Sequence, residues 1–390
     1  MAWAVFAPAT TGPVCCDKTM NEHVAMPALD TTKGSGFRLA LALFLALLPA
    51  IAGIWASPFF LTQDGPAHLY NAEILAHSFD PNSPFRAAYA IRWDPLPNWA
   101  GHLLFLGLDV TLPAWAAERT ATTLSLVALA CATAWLRARV VGCRSAVATA
   151  AFAALIGLNV TWLLGFTSFL LGAALFPLTL AVWWGGHVRL TRRRTLALAG
   201  LIVLGYFCHP IGLGLTAFGL LTLAALTPGE DRRRRLGLTL LALSPLLPLG
   251  WIYRGLTRAG GPMRPEWAQL TNPFSIEAWK EQLRWVDPIS LAAKVYRPFG
   301  SDPSVWNGLA APVVWLTLAL VALTLATLRD DQRDRRLRGW AVLALALVLG
   351  GVLGPDTLGV NHGHYLPQRV FLLGLVALVP WLRLEGSGRL

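Results

Sequence analysis

Two residues of "LTQDGPAHLYNAEILAHSFD" (61–80) could do chemistry together. Asp64 precedes Gly65, Pro66 and Ala67, so it reads as a helix N-cap with proline in the first turn. Capping alone accounts for an aspartate there. His68 follows four residues on, one helical turn away and on the same side. An Asp–His pair so spaced can share a divalent metal, or set the carboxylate as a general base. Read alone, His68 is an interfacial hydrogen-bonding residue.

A second group lies near the other end of the chain, in "NHGHYLPQR". His362 and His364 flank a glycine and can face one ligand from an extended loop. Arg369 stands at the mouth of an apolar run, where a full charge needs a partner or water. Its guanidinium fork suits phosphate oxygens; equally, it reads as an arginine snorkelling to the interface. His209, in "CHPIG", is a third histidine at a helix break, readable as a ligand contact or as a satisfied polar residue.

The elements that must position these residues are apolar helices. Of 390 residues, 55% are hydrophobic and 14% charged. Soluble domains carry roughly a quarter charged residues, so the composition predicts an all-α, polytopic membrane bundle. The net charge of +11 does not indicate nucleic acid. Its arginines fall in short blocks between apolar runs, at 137–144, 189–194, 232–235 and 329–338, as cytoplasmic loops do under the positive-inside rule. Such blocks suit contact with anionic membrane lipids.

Placing every arginine block inside sets the topology. Residues 1–36 read as a disordered cytoplasmic tail and 37–390 as one transmembrane domain. The first span (37–57) leads outward and the next (116–136) returns. The outer loop 58–115 between them holds interfacial helices, because "PLPNWAGHLLFLGLDVTLP" is too short between its prolines to cross some 30 Å of hydrocarbon. The run 145–188 requires two spans turning near Asn159. The run 195–228 forms two minimal spans with "CHPIG" at the outer tip, since Pro210 breaks a helix. Further spans at 236–253, 308–328, 339–353 and 370–386 leave outer loops at 254–307 and 354–369. The expectation is about ten spans with both termini inside.

This arrangement puts nearly all the non-arginine polarity outside. Gly165 and Gly172 of "GFTSFLLG" read as a close-packing face of one helix. Trp93, Trp99, Trp267, Trp279 and Trp285 suit either an interfacial belt or stacking on a sugar. The five cysteines show no CxxC spacing. Phosphate-loop, dinucleotide and HExxH motifs are absent.

In "TQDGPAHLYNAEIL", "LPNWAGHLLFLGL" and "AERTATTLSLVALACATAWLRAR" the chain resembles integral-membrane glycosyltransferases of the GT-C superfamily. It also resembles bacterial membrane proteins carrying "DGPAHLYNA", "GFxxFLLG", "CHP" and "PQR". The resemblance implies transfer of a sugar from a polyprenyl-phosphate donor to an acceptor on the outer face, usually with inversion. Asp64 would be the acidic-loop residue, as base or metal contact, and Arg369 a contact to the donor phosphate. The family motif often pairs two carboxylates, whereas Gly65 follows Asp64 here, and Glu73 is the candidate second acid. The alternative reading is a transporter, flippase or scaffold that keeps the fold without the chemistry. Its polar groups would sit at mid-membrane in a transporter, whereas here they collect at the rim.

Overall fold

The computed structural model describes residues 35–57, 60–143, 145–229, 231–258, 337–354 and 365–382. The expected tail, the span at 308–328, most of the loops 254–307 and 354–369, and the candidates His362 and His364 lie outside the described residues.

The described residues are helical, with no strand. Helix α1 (Ser35–Ala56) is followed by three short helices, α2 (Gly65–Ala76), α3 (Pro84–Ala88) and α4 (Trp99–Asp109). The long α5 (Ala114–Val141) comes next, then α6 (Ala146–Gly157), α7 (Val160–Leu163) and α8 (Thr167–Trp184). After these run α9 (Arg192–Cys208), α10 (Pro210–Leu226), α11 (Arg232–Leu243) and α12 (Leu246–Arg258). The last two described helices are α13 (Arg338–Leu353) and α14 (Leu366–Leu378). Among the described residues, four helices are long and apolar enough to cross a membrane: α1, α5, α8 and the stretch Arg232–Leu256 that joins α11 to α12. Helices α6, α10, α13 and α14 are equally apolar but shorter.

The breaks between helices have identifiable causes. Asn159 ends α6 and starts α7: its amide donates to the carbonyls of Ile156 and Gly157, and its Oδ1 accepts from Trp162 N–H at 3.2 Å. Pro210 separates α9 from α10, leaving His209 as the C-cap of one and the N-cap of the other. The 11-residue α4 is far too short to span and packs beside α2 against α5, α8 and α9.

Helix α8 is the centre of the bundle. Its apolar window is 72% buried, against 22% for α1. It meets α10 where Gly172 faces Gly212, whose added Cβ would come within 3.4 Å of the Gly172 backbone. That close approach presses His209 against α8. Gly165, by contrast, lies outside the helix, in the turn before it, at φ +75°. The expected two-glycine helix face is therefore a single helical glycine plus a turn glycine.

The two ends of the bundle differ in chemistry. At one end, Arg137 is 2% exposed. It donates to the carbonyls of Val379 (2.8 Å) and Leu382 (2.9 Å) beyond α14 and to Thr149 Oγ1 (3.0 Å). Arg235 donates to the carbonyls of Ala224 (3.2 Å) and Thr227 at the end of α10. A helix leaves its last carbonyls without intrahelical partners, and these two guanidinium groups supply them. Both are thus taken up by helix ends, while Arg192, Arg193, Arg232, Arg233 and Arg234 stay exposed. The opposite end, where α1 finishes and α5, α8, α10 and α14 begin, gathers the candidate residues.

Candidate functional site

The site is built from turns at the helix starts. Asp64 occupies the N-cap position of α2, but at φ −96° and ψ −9° its side chain makes no capping hydrogen bond. The expected N-cap role therefore holds for the position and not for the carboxylate. Thr62 Oγ1 caps instead, accepting from Gly65 N–H at 3.0 Å. Asp64 N–H donates to the Leu164 carbonyl at 3.0 Å, which pins the loop to the α7–α8 turn. The half-buried carboxylate is thereby left available, and it acts electrostatically on both His68 and Arg369.

His68 lies one turn into α2. Its ring stacks on Phe105 (5.2 Å between centroids) and meets His102 edge to face at 6.0 Å. Its Nδ1, like that of His102, is buried without a hydrogen-bond partner. Burial pushes the His68 pKa below its ordinary value, against the opposing pull of Asp64, the Gly165 carbonyl and Glu118. Burial also lowers the His102 pKa, and the His68 ring lowers it further. Both rings are neutral at neutral pH, the state in which an imidazole can accept a proton.

Arg369 is 8% exposed, in the first turn of α14. Its guanidinium sits over the rings of Phe166 (4.8 Å) and Phe169 (5.0 Å), a cation–π seat. Its Nη1 lies 2.9 Å from His209 Nε2, and its Nε is buried with no partner. His209 Nδ1 accepts from Ile211 N–H at 3.2 Å as the N-cap of α10. A neutral imidazole has one donor and one acceptor, and arginine has donors only. Arg369 Nη1 therefore donates to His209 Nε2 in the tautomer that carries the ring proton on Nδ1, whereas the Ile211 contact uses the other tautomer, so the ring serves one of the two at a time. The guanidinium Nε is the donor left over, and an oxyanion would receive it.

The structure thus brings Asp64, His68, His209 and Arg369 to one end of the bundle. Glu73 goes elsewhere. It pairs with His77 (3.1 Å) and lies beside the Asp109 carboxyl, whose pKa is raised by burial and then by Glu73.

The carboxylate that does reach Asp64's loop is Glu118, 2% exposed at the start of α5. Reading the sequence missed it, although "AERT" at the head of an apolar helix was a signal, since charges there need partners. Glu118 accepts from Thr62 N–H (2.8 Å) and Thr62 Oγ1–H (3.0 Å). Its neighbour Arg119 donates to the Trp55 (3.3 Å) and Ser57 (2.7 Å) carbonyls at the end of α1.

Among the described residues, no three His, Cys, Asp or Glu side chains group as metal ligands. Asp64 and His68 supply two donors, short of a protein-built coordination sphere. An apolar groove of about 490 Å³ lies between α4, α5, α8 and α9, lined by residues such as Cys131, Leu171 and Leu178. At 100° per residue these positions of α8 face away from Phe166 and Phe169, so the groove is separate from the Arg369 seat. Trp93 packs nearly parallel to Phe79 (6.0 Å) and Trp99 (5.3 Å) and remains exposed. Trp267, Trp279 and Trp285 lie outside the described residues.

The fold and site define an all-helical protein with several membrane-length apolar helices and an Asp–His–Arg cluster at one end. No family model, curated protein or solved structure matches the chain.

Proposed function

We propose that the protein is a multi-pass membrane glycosyltransferase. It moves a sugar from a polyprenyl-phosphate-linked donor to an acceptor at the extracytoplasmic face of a bacterial cytoplasmic membrane. The observation that carries this reading is the buried Arg369 guanidinium, its Nε without a hydrogen-bond partner, with the Asp64 carboxylate in Coulombic reach. An anionic donor group and a base are what such a transfer needs at one place.

The steps follow from the residues. The donor phosphate seats on Arg369 beside His209, and the guanidinium N–H groups bond its oxygens. Asp64 accepts the proton of the acceptor hydroxyl, whose oxygen attacks the anomeric carbon from the face opposite the phosphate. The bond from that carbon to the phosphate oxygen breaks, the electron pair leaves with the phosphate, and the configuration inverts. Arg369, held by His209, stabilises the charge that develops on the leaving group. Neutral His68, beside Asp64, can receive the proton next. No step is routed through a metal.

With the exposed arginines facing the cytoplasm beside anionic lipids, the site end faces outward, in keeping with the positive-inside rule. Purified protein assayed in vesicles with a panel of polyprenyl-phosphate sugars tests the reading. Transfer by wild type and its loss in Asp64→Ala and Arg369→Ala are expected. Full transfer by Asp64→Ala would remove Asp64 from its role, and no binding of any polyprenyl phosphate would remove the reading.

A further inference from the structure

We propose that Glu118 is the positioning residue of this site: its buried carboxylate latches the Thr62–Gly65 turn and so holds Asp64 in front of Arg369. The proposal rests on the reading of Asp64 as base.

The latch is assembled from three elements that are distant in sequence. The chain leaving α1 supplies Thr62, the second turn of α5 supplies Glu118, and the turn before α8 supplies Gly165. One oxygen, Glu118 Oε1, takes both the backbone N–H and the hydroxyl of Thr62. The same Thr62 hydroxyl oxygen then accepts from Gly65 N–H. Asp64 therefore lies on a stretch fixed on both sides: at Thr62 by Glu118, and at Gly65 by the hydroxyl that Glu118 orients. Its own N–H is fixed by Leu164.

The fit leaves no slack. A Cβ on Gly65 would lie 1.9 Å from Glu118 Oε1 and 2.5 Å from Thr62 Oγ1. A Cβ on Gly165, which also adopts φ +75°, would lie 2.4 Å from Thr62 Oγ1. Both glycines are where the latch closes, which gives Gly65 in "DGPAH" a reason to follow the aspartate directly.

The two carboxylates have different environments and so different work. Glu118 is 2% exposed and its Oε1 is already engaged, whereas Asp64 is half-buried with no capping bond. A buried carboxylate is costly unless hydrogen-bonded, and these bonds to Thr62 are its compensation. Glu118 also acts electrostatically on His68, opposing the effect of burial. It orients the reacting groups and does not touch the acceptor.

Hydrogen exchange by mass spectrometry and transfer kinetics, measured on the full-length protein in detergent, test the latch together. In Glu118→Ala the peptide covering 60–70 should lose protection, and kcat should fall about a hundredfold, the order expected from a misplaced catalytic group. Donor KM should stay unchanged. Glu118→Gln keeps an acceptor oxygen and should restore both protection and most of kcat. Thr62→Val, which deletes only the bridging hydroxyl, should behave as Glu118→Ala does and serves if that variant fails to fold. Unchanged protection of 60–70 in both Glu118→Ala and Thr62→Val would overturn the latch. A rise in donor KM with kcat retained would overturn the positioning role. If wild type transfers no sugar from any donor, the glycosyltransferase reading fails, and the exchange data still decide the latch.

Discussion

Asp64, in the first loop, and Arg369, in the last described helix, stand within Coulombic reach of each other at one end of the bundle. Between them in space lie the α7–α8 turn, which binds Asp64 N–H, and Phe166 and Phe169, which seat the guanidinium. The start of α8 is thus the common support of both charges. A carboxylate and a cation held by the same short segment keep their separation even if the outer helices shift.

Removing the carboxylate separates its two roles. Asp64→Asn retains shape and loses the base, and a general base typically contributes 10² to 10⁴ in rate. We expect kcat for sugar transfer to fall by about that range, with donor KM little changed. Steady-state kinetics with the best donor of the panel check this. A large rise in KM alone would make Asp64 a binding group.

Arg369 should show the opposite pattern. Arg369→Lys keeps the charge but loses the planar fork and the stacking on Phe166 and Phe169. Donor binding should weaken by about tenfold or more, since hydrogen bonds to charged groups are worth about 1.5–3 kcal/mol. Titrating a short-chain polyprenyl phosphate, with the matching uncharged alcohol as control, measures it. Equal affinity of wild type for phosphate and alcohol would refute the anion seat at Arg369.

Much of this arrangement was legible in the residues. Pro210 announced the break at His209, Asn159 the turn before α7, and the prolines around α4 its shortness. Asp64, His68, His209 and Arg369 were identifiable because charged and imidazole groups beside apolar runs require partners. Three things escaped. Asp64 occupies the cap position without capping, which depends on Thr62 reaching Gly65 N–H first. Glu73 turns toward Asp109, because α2 lies alongside α4 and no single-helix pattern reveals the neighbour. Glu118 needed the fold, since its partner Thr62 is brought to it only when α5 packs on the exit of α1.

The half-buried histidines His68 and His102 give stability a pH dependence. Burial places the folded-state pKa values of His68 and His102 below the ordinary value of 6.5. Below 6.5 the unfolded chain therefore binds more protons than the folded one. Stability is full above that pH and is lost as the pH falls through the lowered folded values. Thermal unfolding in detergent should show a falling midpoint on acidification below about 6.5. His102→Phe, which keeps a ring beside His68, should flatten that fall. A variant with an unchanged slope would show that other groups set the acid sensitivity.

The opposite end offers a control that is structural alone. Arg137 holds the carbonyls of Val379 and Leu382, and so ties the end of α14 to α5 and α6. Replacing it by leucine leaves those buried acceptors without their charged donor, at about 1–3 kcal/mol for each unsatisfied group. Arg137→Leu should therefore lower the unfolding midpoint clearly. Because α14 carries Arg369 at its other end, the loosened helix should raise donor KM only to the extent that the helix shifts, while the pH profile of kcat stays that of wild type. A changed pH profile in Arg137→Leu would mean that the two ends of the bundle are coupled through α14.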